Sequence, residues 1–217
     1  MADRSSVSYT VEQHERWGGF GLATAVFRSA AMAFALFGLT GCLGLGGKTP
    51  RSLITLTPTA TAPAGSGASG NAATAIAMSE FEAPAKLDVT RVPVQVTDSE
   101  IAYVKDAVWN EKPARLLRRL IAETMRARGD RLVSDGDDPG AQAQLRVSGT
   151  LREFGYDART GEVVLVLDAA KAGAGSNVAT RRFEARVPGV VAEAAPVGAA
   201  LNQAANQVAG EVAAWVG

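Results

Sequence analysis

Residues 143–167 read AQLRVSGTLREFGYDARTGEVVLVL. Ala143, Leu145, Val147, Gly149 and Leu151 alternate with Gln144, Arg146, Ser148, Thr150 and Arg152. Period-two alternation is the signature of a strand with one face buried. The apolar parity then moves by one residue to Phe154 and Tyr156. One extra residue in a strand is a β-bulge, so the switch predicts a bulge near Arg152-Glu153. Asp157 to Gly161 reads as a hairpin loop. Val163 to Leu167 is continuously apolar and β-branched, which places it centrally in the same sheet.

Outward from this hairpin, Ala179, Phe183, Ala185 and Val187 form another inward-facing strand, closed by Pro188-Gly189. A helix follows from about 196 to 215. Val197, Leu201, Ala204, Ala205, Val208, Val212 and Val216 share one face. Its many alanines allow a close approach to the sheet. Upstream, Leu116, Leu117, Leu120, Ile121 and Met125 recur at helical spacing. Asn110 is the expected N-cap of that helix, Pro113 sits early where proline is tolerated, and Gly129-Asp130 ends it.

Leu132-Val133 reads as a short strand. Leu87, Val89, Val92, Val94 and Val96 suggest another, with Ile101 to Val104 a brief extended piece. Leu53 to Leu56 is expected to be the first strand, closed by Pro58. Residues 58–77 carry no charge, are low in complexity, and read as a flexible loop. The order predicts an α/β chain of the α+β type: a mixed, mostly antiparallel sheet with two helices on one face. Residues 53–217 form the single folded domain.

The amino terminus carries a different message. Residues 29–41, SAAMAFALFGLTG, are apolar, follow Arg28, and end at Leu39-Thr40-Gly41-Cys42. The run has the length of a signal-peptide core. Small residues ahead of a cysteine resemble the bacterial lipobox. Cleavage is then expected between Gly41 and Cys42, with Cys42 lipidated and residues 42–52 a tether. An uncleaved membrane anchor and a buried core helix are the competing readings, and the glycines of FGLTGCLGLGG weaken both. The segment 1–27, with Asp3, Glu12 and Glu15, does not suit a signal's basic start, and translation from Val26 would give a compact signal. Leu43, rather than aspartate, after the cysteine does not mark inner-membrane retention, which favours the periplasmic face of the outer membrane.

Charge and chemistry narrow the function. The 22 basic and 22 acidic groups cancel, so nothing calls for nucleic acid. His14 is the only histidine and Cys42 the only cysteine. A chain beginning at Cys42 has no histidine and no free thiol, which removes Ser/His, Cys/His and His-metal chemistry. Catalysis would rest on Asp, Glu, Lys or Tyr; Glu153, Asp157 and Glu162 cluster near the hairpin, as surface turns commonly do. No cofactor is called for. Asp135, Asp137 and Asp138 lack the ligand spacing of a calcium loop and read as a turn. Lys171 to Ser176 has its lysine ahead of the glycines, unlike a phosphate loop. Arg115, Arg118, Arg119, Arg126 and Arg128 give the first helix a basic face, read as solvated in preference to a lipid-headgroup contact. Tyr103 and Trp109 are candidates for a partner-docking patch, against the plainer role of pinning the helix start to the sheet.

The stretches 101–104 (IAYV), 106–109 (DAVW) and 111–117 (EKPARLL) resemble the ABC-type transport auxiliary lipoprotein family. So does the closing 200–209 (ALNQAANQVA) with Val212 and Trp215. The resemblance covers roughly residues 40–217. It implies a non-enzymatic outer-membrane lipoprotein facing the periplasm, beside an inner-membrane ABC permease and ATPase and a substrate-binding protein of the mammalian-cell-entry type. Such systems resemble the Mla and Pqi lipid-trafficking machines, with phospholipid as the cargo. An envelope-assembly lipoprotein unrelated to ABC transport is the alternative. Homo-oligomerisation stays open.

Overall fold

The structure, a computed structural model, describes residues 52–129, 131–135, 143–173, 175 and 177–217. Gly41, Cys42 and the whole leader lie outside them, as do Asp137 and Asp138. Element order is β1 (Ile76–Glu82), β2 (Arg91–Gln95), β3 (Ile101–Val108), α1 (Pro113–Arg128), β4 (Val133–Asp135), β5 (Leu145–Asp157), β6 (Glu162–Ala172), β7 (Val178–Val187) and α2 (Ala194–Val216).

The decisive stretch folds as its pattern requires. Val147, Gly149 and Leu151 face the core, as do Phe154 and Tyr156 after the parity switch. The β5–β6 register steps from Leu151↔Leu167 to Glu153↔Val166, which leaves Arg152 as the extra residue of a bulge. The loop closes at Gly161, whose φ of 69° suits glycine. β6 is paired along both edges, to β5 and to β7. The sheet has 7 strands, with β5 pairing β6 on one edge and both β1 and β2 on the other. The β1–β4, β1–β5 and β2–β5 ladders are parallel and short; the β2–β3, β5–β6 and β6–β7 ladders are antiparallel and, for the last two, long. This is the mixed, mostly antiparallel sheet that the sequence predicts.

Both helices pack against one sheet face and against each other. α2 buries Ala200, Ala204, Ala205, Ala209 and Ala213 alongside its valines and Leu201. α1 buries Leu116, Leu117, Leu120, Ile121 and Met125, and ends at Gly129, φ 74°, whose N–H returns to Arg126 O. All the described residues belong to one compact unit, Pro50–Gly217. None of their helices is long and apolar enough to cross a membrane.

Several expectations need correction. Leu53 to Leu56 is not a strand but makes a single parallel bridge, Ile54 to Trp109. The chain there is a strap laid over the helices. Thr57 N–H donates to Asn202 Oδ1 (2.8 Å), Asn206 Nδ2 to Thr57 O (2.9 Å), Thr59 N–H to Asn206 Oδ1 (2.8 Å), and Ala62 N–H to Glu123 Oε1 (2.9 Å). Side-chain amides on α2 thus replace a neighbouring strand as hydrogen-bond partners. The uncharged stretch also ends in a strand the pattern hid. β1 buries Ile76 and Met78, then Phe81, and its register with β5 shifts between Met78 and Phe81. Alternation broken after three residues does not read as a strand.

Leu87 is fully buried from a turn, its N–H on Pro84 O, so β2 starts only at Arg91. β3 runs on past Val104 to Val108. Asn110 does not cap α1, because the helix starts only at Pro113 and Lys112 holds the N-cap position; the Asn110 N–H is bonded to Ile54 O instead. Ala179 is exposed, lying beyond Phe183, which meets Trp215 in the last turn of α2.

Gly155 marks the closest backbone approach. A Cβ there would stand 2.4 Å from Pro93 O, where β2 joins β5. Gly155→Ala should cost about 1–3 kcal/mol through overpacking, read as a lower urea midpoint. An unchanged midpoint would show that β2 can move aside.

Candidate functional site

The sequence proposes Tyr103 and Trp109 as one patch, and β3 separates them. Trp109 is 1% exposed and stacks on Phe154 at 5.2 Å between ring centroids. Its Nε1 has no hydrogen-bond partner. Tyr103 is half-buried, opposite Pro93, with the Arg91 guanidinium 3.8 Å over its ring. Between them the β3 ladder breaks: Tyr103 pairs Pro93 and Val108 pairs Arg91, so Val104 to Ala107 lie opposite Val92 alone. Asp106, at φ 59°, is the only non-glycine residue with positive φ among those described. The bulge turns Val104 and Ala107 inward and leaves Lys105 and Asp106 in solvent. Only Tyr103 of the pair offers an aromatic surface.

The arginines of α1 are engaged rather than free. Arg118 is buried and pairs with Asp135 at 2.6 Å, which ties α1 to β4 and accounts for the first aspartate of the supposed calcium turn. The pair is a close charge contact rather than an aligned hydrogen bond, since Asp135 Oδ1 and Arg118 Nε lack directed partners. Arg119 reaches Glu111 at 2.6 Å, and Arg115 lies 3.9 Å from both Glu111 and Glu80. Arg126 meets Glu123 and Val133 O, and Arg128 the carbonyl of Gly210.

The sheet face away from the helices carries the remaining charge. Glu153 accepts from Lys86 at 2.6 Å, Asp157 from Arg159 at 2.9 and 2.6 Å, and Glu162 from Arg186. Arg159 also reaches Asp98. Sequence reasoning missed Asp168, which binds two arginines. Arg182 donates to it at 2.6 and 2.8 Å and Arg152 at 2.8 Å. The signal lay in cross-strand register, Thr150↔Asp168↔Arg182, which the sequence does not state. Thr150, Asp168 and Arg182 line an open groove of about 710 Å³ with Glu80, Glu82 and Thr180.

Hydrogen bonds from Arg182, then from Arg152, hold the Asp168 carboxyl at about 2, against the opposing effect of burial. The Arg159 side chain likewise holds Asp157 below its ordinary value. A general acid needs its pKa raised towards neutrality, and these two carboxylates move the other way. Among the described residues no cluster of three His, Cys, Asp or Glu could hold a metal. Neither carboxylate is set as a general acid.

Residues 55–213 match the family model of the ABC-type transport auxiliary lipoprotein component. The chain belongs to this family. Its members are non-catalytic accessory components, lipid-anchored at the outer membrane and facing the periplasm. Among solved structures, a Xanthomonas campestris protein is similar at 20% identity and a TM-score of 0.59, covering 76% of this chain and 94% of that one. An uncharacterized protein is similar at 14% identity and a TM-score of 0.58, covering 76% of this chain and 100% of that one. At these identities the likeness shows the fold. No curated protein matches the chain.

Trp109→Ala should destabilise by about 3–5 kcal/mol, whereas Tyr103→Ala should stay within about 1 kcal/mol, both read by urea unfolding; equal losses would mean that Tyr103 is structural too. The pH dependence of Asp168 has a definite sign. Its folded pKa lies below the ordinary 3.8, so its contribution is complete above that value and is lost as pH falls through about 2. Asp168→Asn should therefore be less stable than wild type near neutrality, with the gap closing towards pH 2. A gap independent of pH would count against the ion pairs.

Proposed function

We propose that this chain is the outer-membrane accessory of an ABC-type lipid transport system that depends on a mammalian-cell-entry protein. The observation that carries the reading is the family match across nearly all of the described domain, joined to the lipobox Leu39-Thr40-Gly41-Cys42 ahead of it. Cleavage before Cys42 and acylation of its amine and thiol fix one end of the protein in the bilayer. One acyl chain holds only marginally, while several, at about 0.8 kcal/mol per buried methylene, hold firmly. Residues 42–52 then span at most about 35 Å when fully extended, so the domain stays close to its membrane. From there it meets the periplasmic end of a mammalian-cell-entry protein, whose permease and ATPase lie in the inner membrane. Tyr103 is the aromatic contact that β3 offers such a partner, with Trp109 holding the strand beneath it. Phospholipid is the cargo class.

Cys42→Ser should move the protein from the membrane to the soluble fraction and abolish globomycin-sensitive processing. The released protein should still capture a mammalian-cell-entry protein, and lipid mass spectrometry of the complex identifies the cargo. Retention of Cys42→Ser in the membrane would overturn the anchor. A released protein that captures only envelope-assembly proteins would overturn the transport role.

A further inference from the structure

The edges of the sheet are not treated alike. At one, β4 is only three residues long. At another, β3 is bulged at Asp106 and covered by the strap where Ile54 bridges Trp109. Short strands, bulges and covering segments are the usual defences against edge pairing. β7 has none of these three and is guarded by charge alone, at Arg181, Arg182, Glu184 and Arg186. It runs ten residues, Val178–Val187, in unbroken register with β6, contains no proline, and pairs with no other strand among the described residues. Val178 at its start is 64% exposed.

We propose that β7 is the interface through which two copies of this chain join, antiparallel, with a two-fold axis at Phe183. The side-chain order argues for that register. Centring on Phe183 sets Arg182 opposite Glu184 of the other copy, twice, on the open face. Each of these residues now spends only part of its capacity within its own chain, Arg182 on Asp168 through Nε and Nη2 and Glu184 on Arg186 through Oε1. Opposite charges directly across an antiparallel pair stabilise it. On the helix-covered face the same register puts Arg181, which lies over the Phe183 ring at 5.0 Å, opposite the small Ala185.

The neighbouring registers are worse. Centring on Arg181 sets that arginine against its own copy. Centring on Ala185 places Arg182 opposite Pro188, which has no N–H for a ladder. Parity is also kept: a residue-centred axis leaves the helices of both copies on one side of a continuous sheet. The inference is independent of the transport reading.

The full-length protein in detergent should sediment as a dimer. Arg182→Glu and Glu184→Arg should each weaken dimerisation about 10-fold or more, because both pairs across the axis become like-charged. Register is read separately by cysteines. The double variant Arg182→Cys/Glu184→Cys should form a reducible dimer on mild oxidation, since directly opposed Cβ atoms fall within disulfide reach. Each single cysteine variant, and wild type with Cys42 alone, should not. A monomer at about 100 µM would overturn the proposal, because an interface this weak would not be a specific one. So would a dimer in which the double cysteine variant fails to link. β7 covered by the chain's own residues 1–51, or reserved for a different protein's strand, would produce the monomer.

Discussion

β5 has to satisfy three strands with two edges. One edge is given wholly to β6. The other is divided between β1, along Leu145 to Thr150, and β2, at Tyr156 and Asp157. β1 and β2 therefore follow one another along that edge, on separate stretches of β5. The bulge at Arg152 falls between their contact regions, and a bulge increases local twist and bends the strand. Gly155 then lets Pro93 approach where a side chain would not fit. Trp109 packs on Phe154 just past the bend.

The parts of the fold legible in the sequence were those whose partners follow from a regular period. The alternation of 143–151, the parity switch at Arg152-Glu153 and the helical stripes of 116–125 and 197–216 each describe one uninterrupted face. The missed parts depend on distant groups. β1 breaks its own alternation because its register with β5 shifts. Leu53 to Leu56 has strand composition, but its backbone finds Trp109 and then the Asn202 and Asn206 amides, far away in sequence. Asn110 is a good cap by type, yet its backbone is held by Ile54 of the distant strap and α1 begins later, after Lys112.

The candidate site divides in the same way. Residue type alone brought out Tyr103 and Trp109, the basic helix face and the carboxylates near the hairpin. Whether each is available depends on what lies across the sheet. Trp109 is closed off by Phe154, Arg118 by Asp135, and Glu153, Asp157 and Glu162 by cations from other positions. Asp168 carried no sequence signal because Arg152 and Arg182 reach it only through strand pairing.

The strap has a mechanical meaning. Any tension arriving from residues before Ser52 enters the domain at Ile54. There it is taken by two backbone hydrogen bonds, Ile54 N–H to Val108 O and Asn110 N–H to Ile54 O. Behind them stand the rungs at Thr57, Thr59 and Ala62. A load arriving from that side therefore falls first on the end of β3, and it reaches the rungs on the helices only after the two Ile54 bonds part. The strap thus fastens the amino-terminal side of the domain to the sheet first and to both helices behind it.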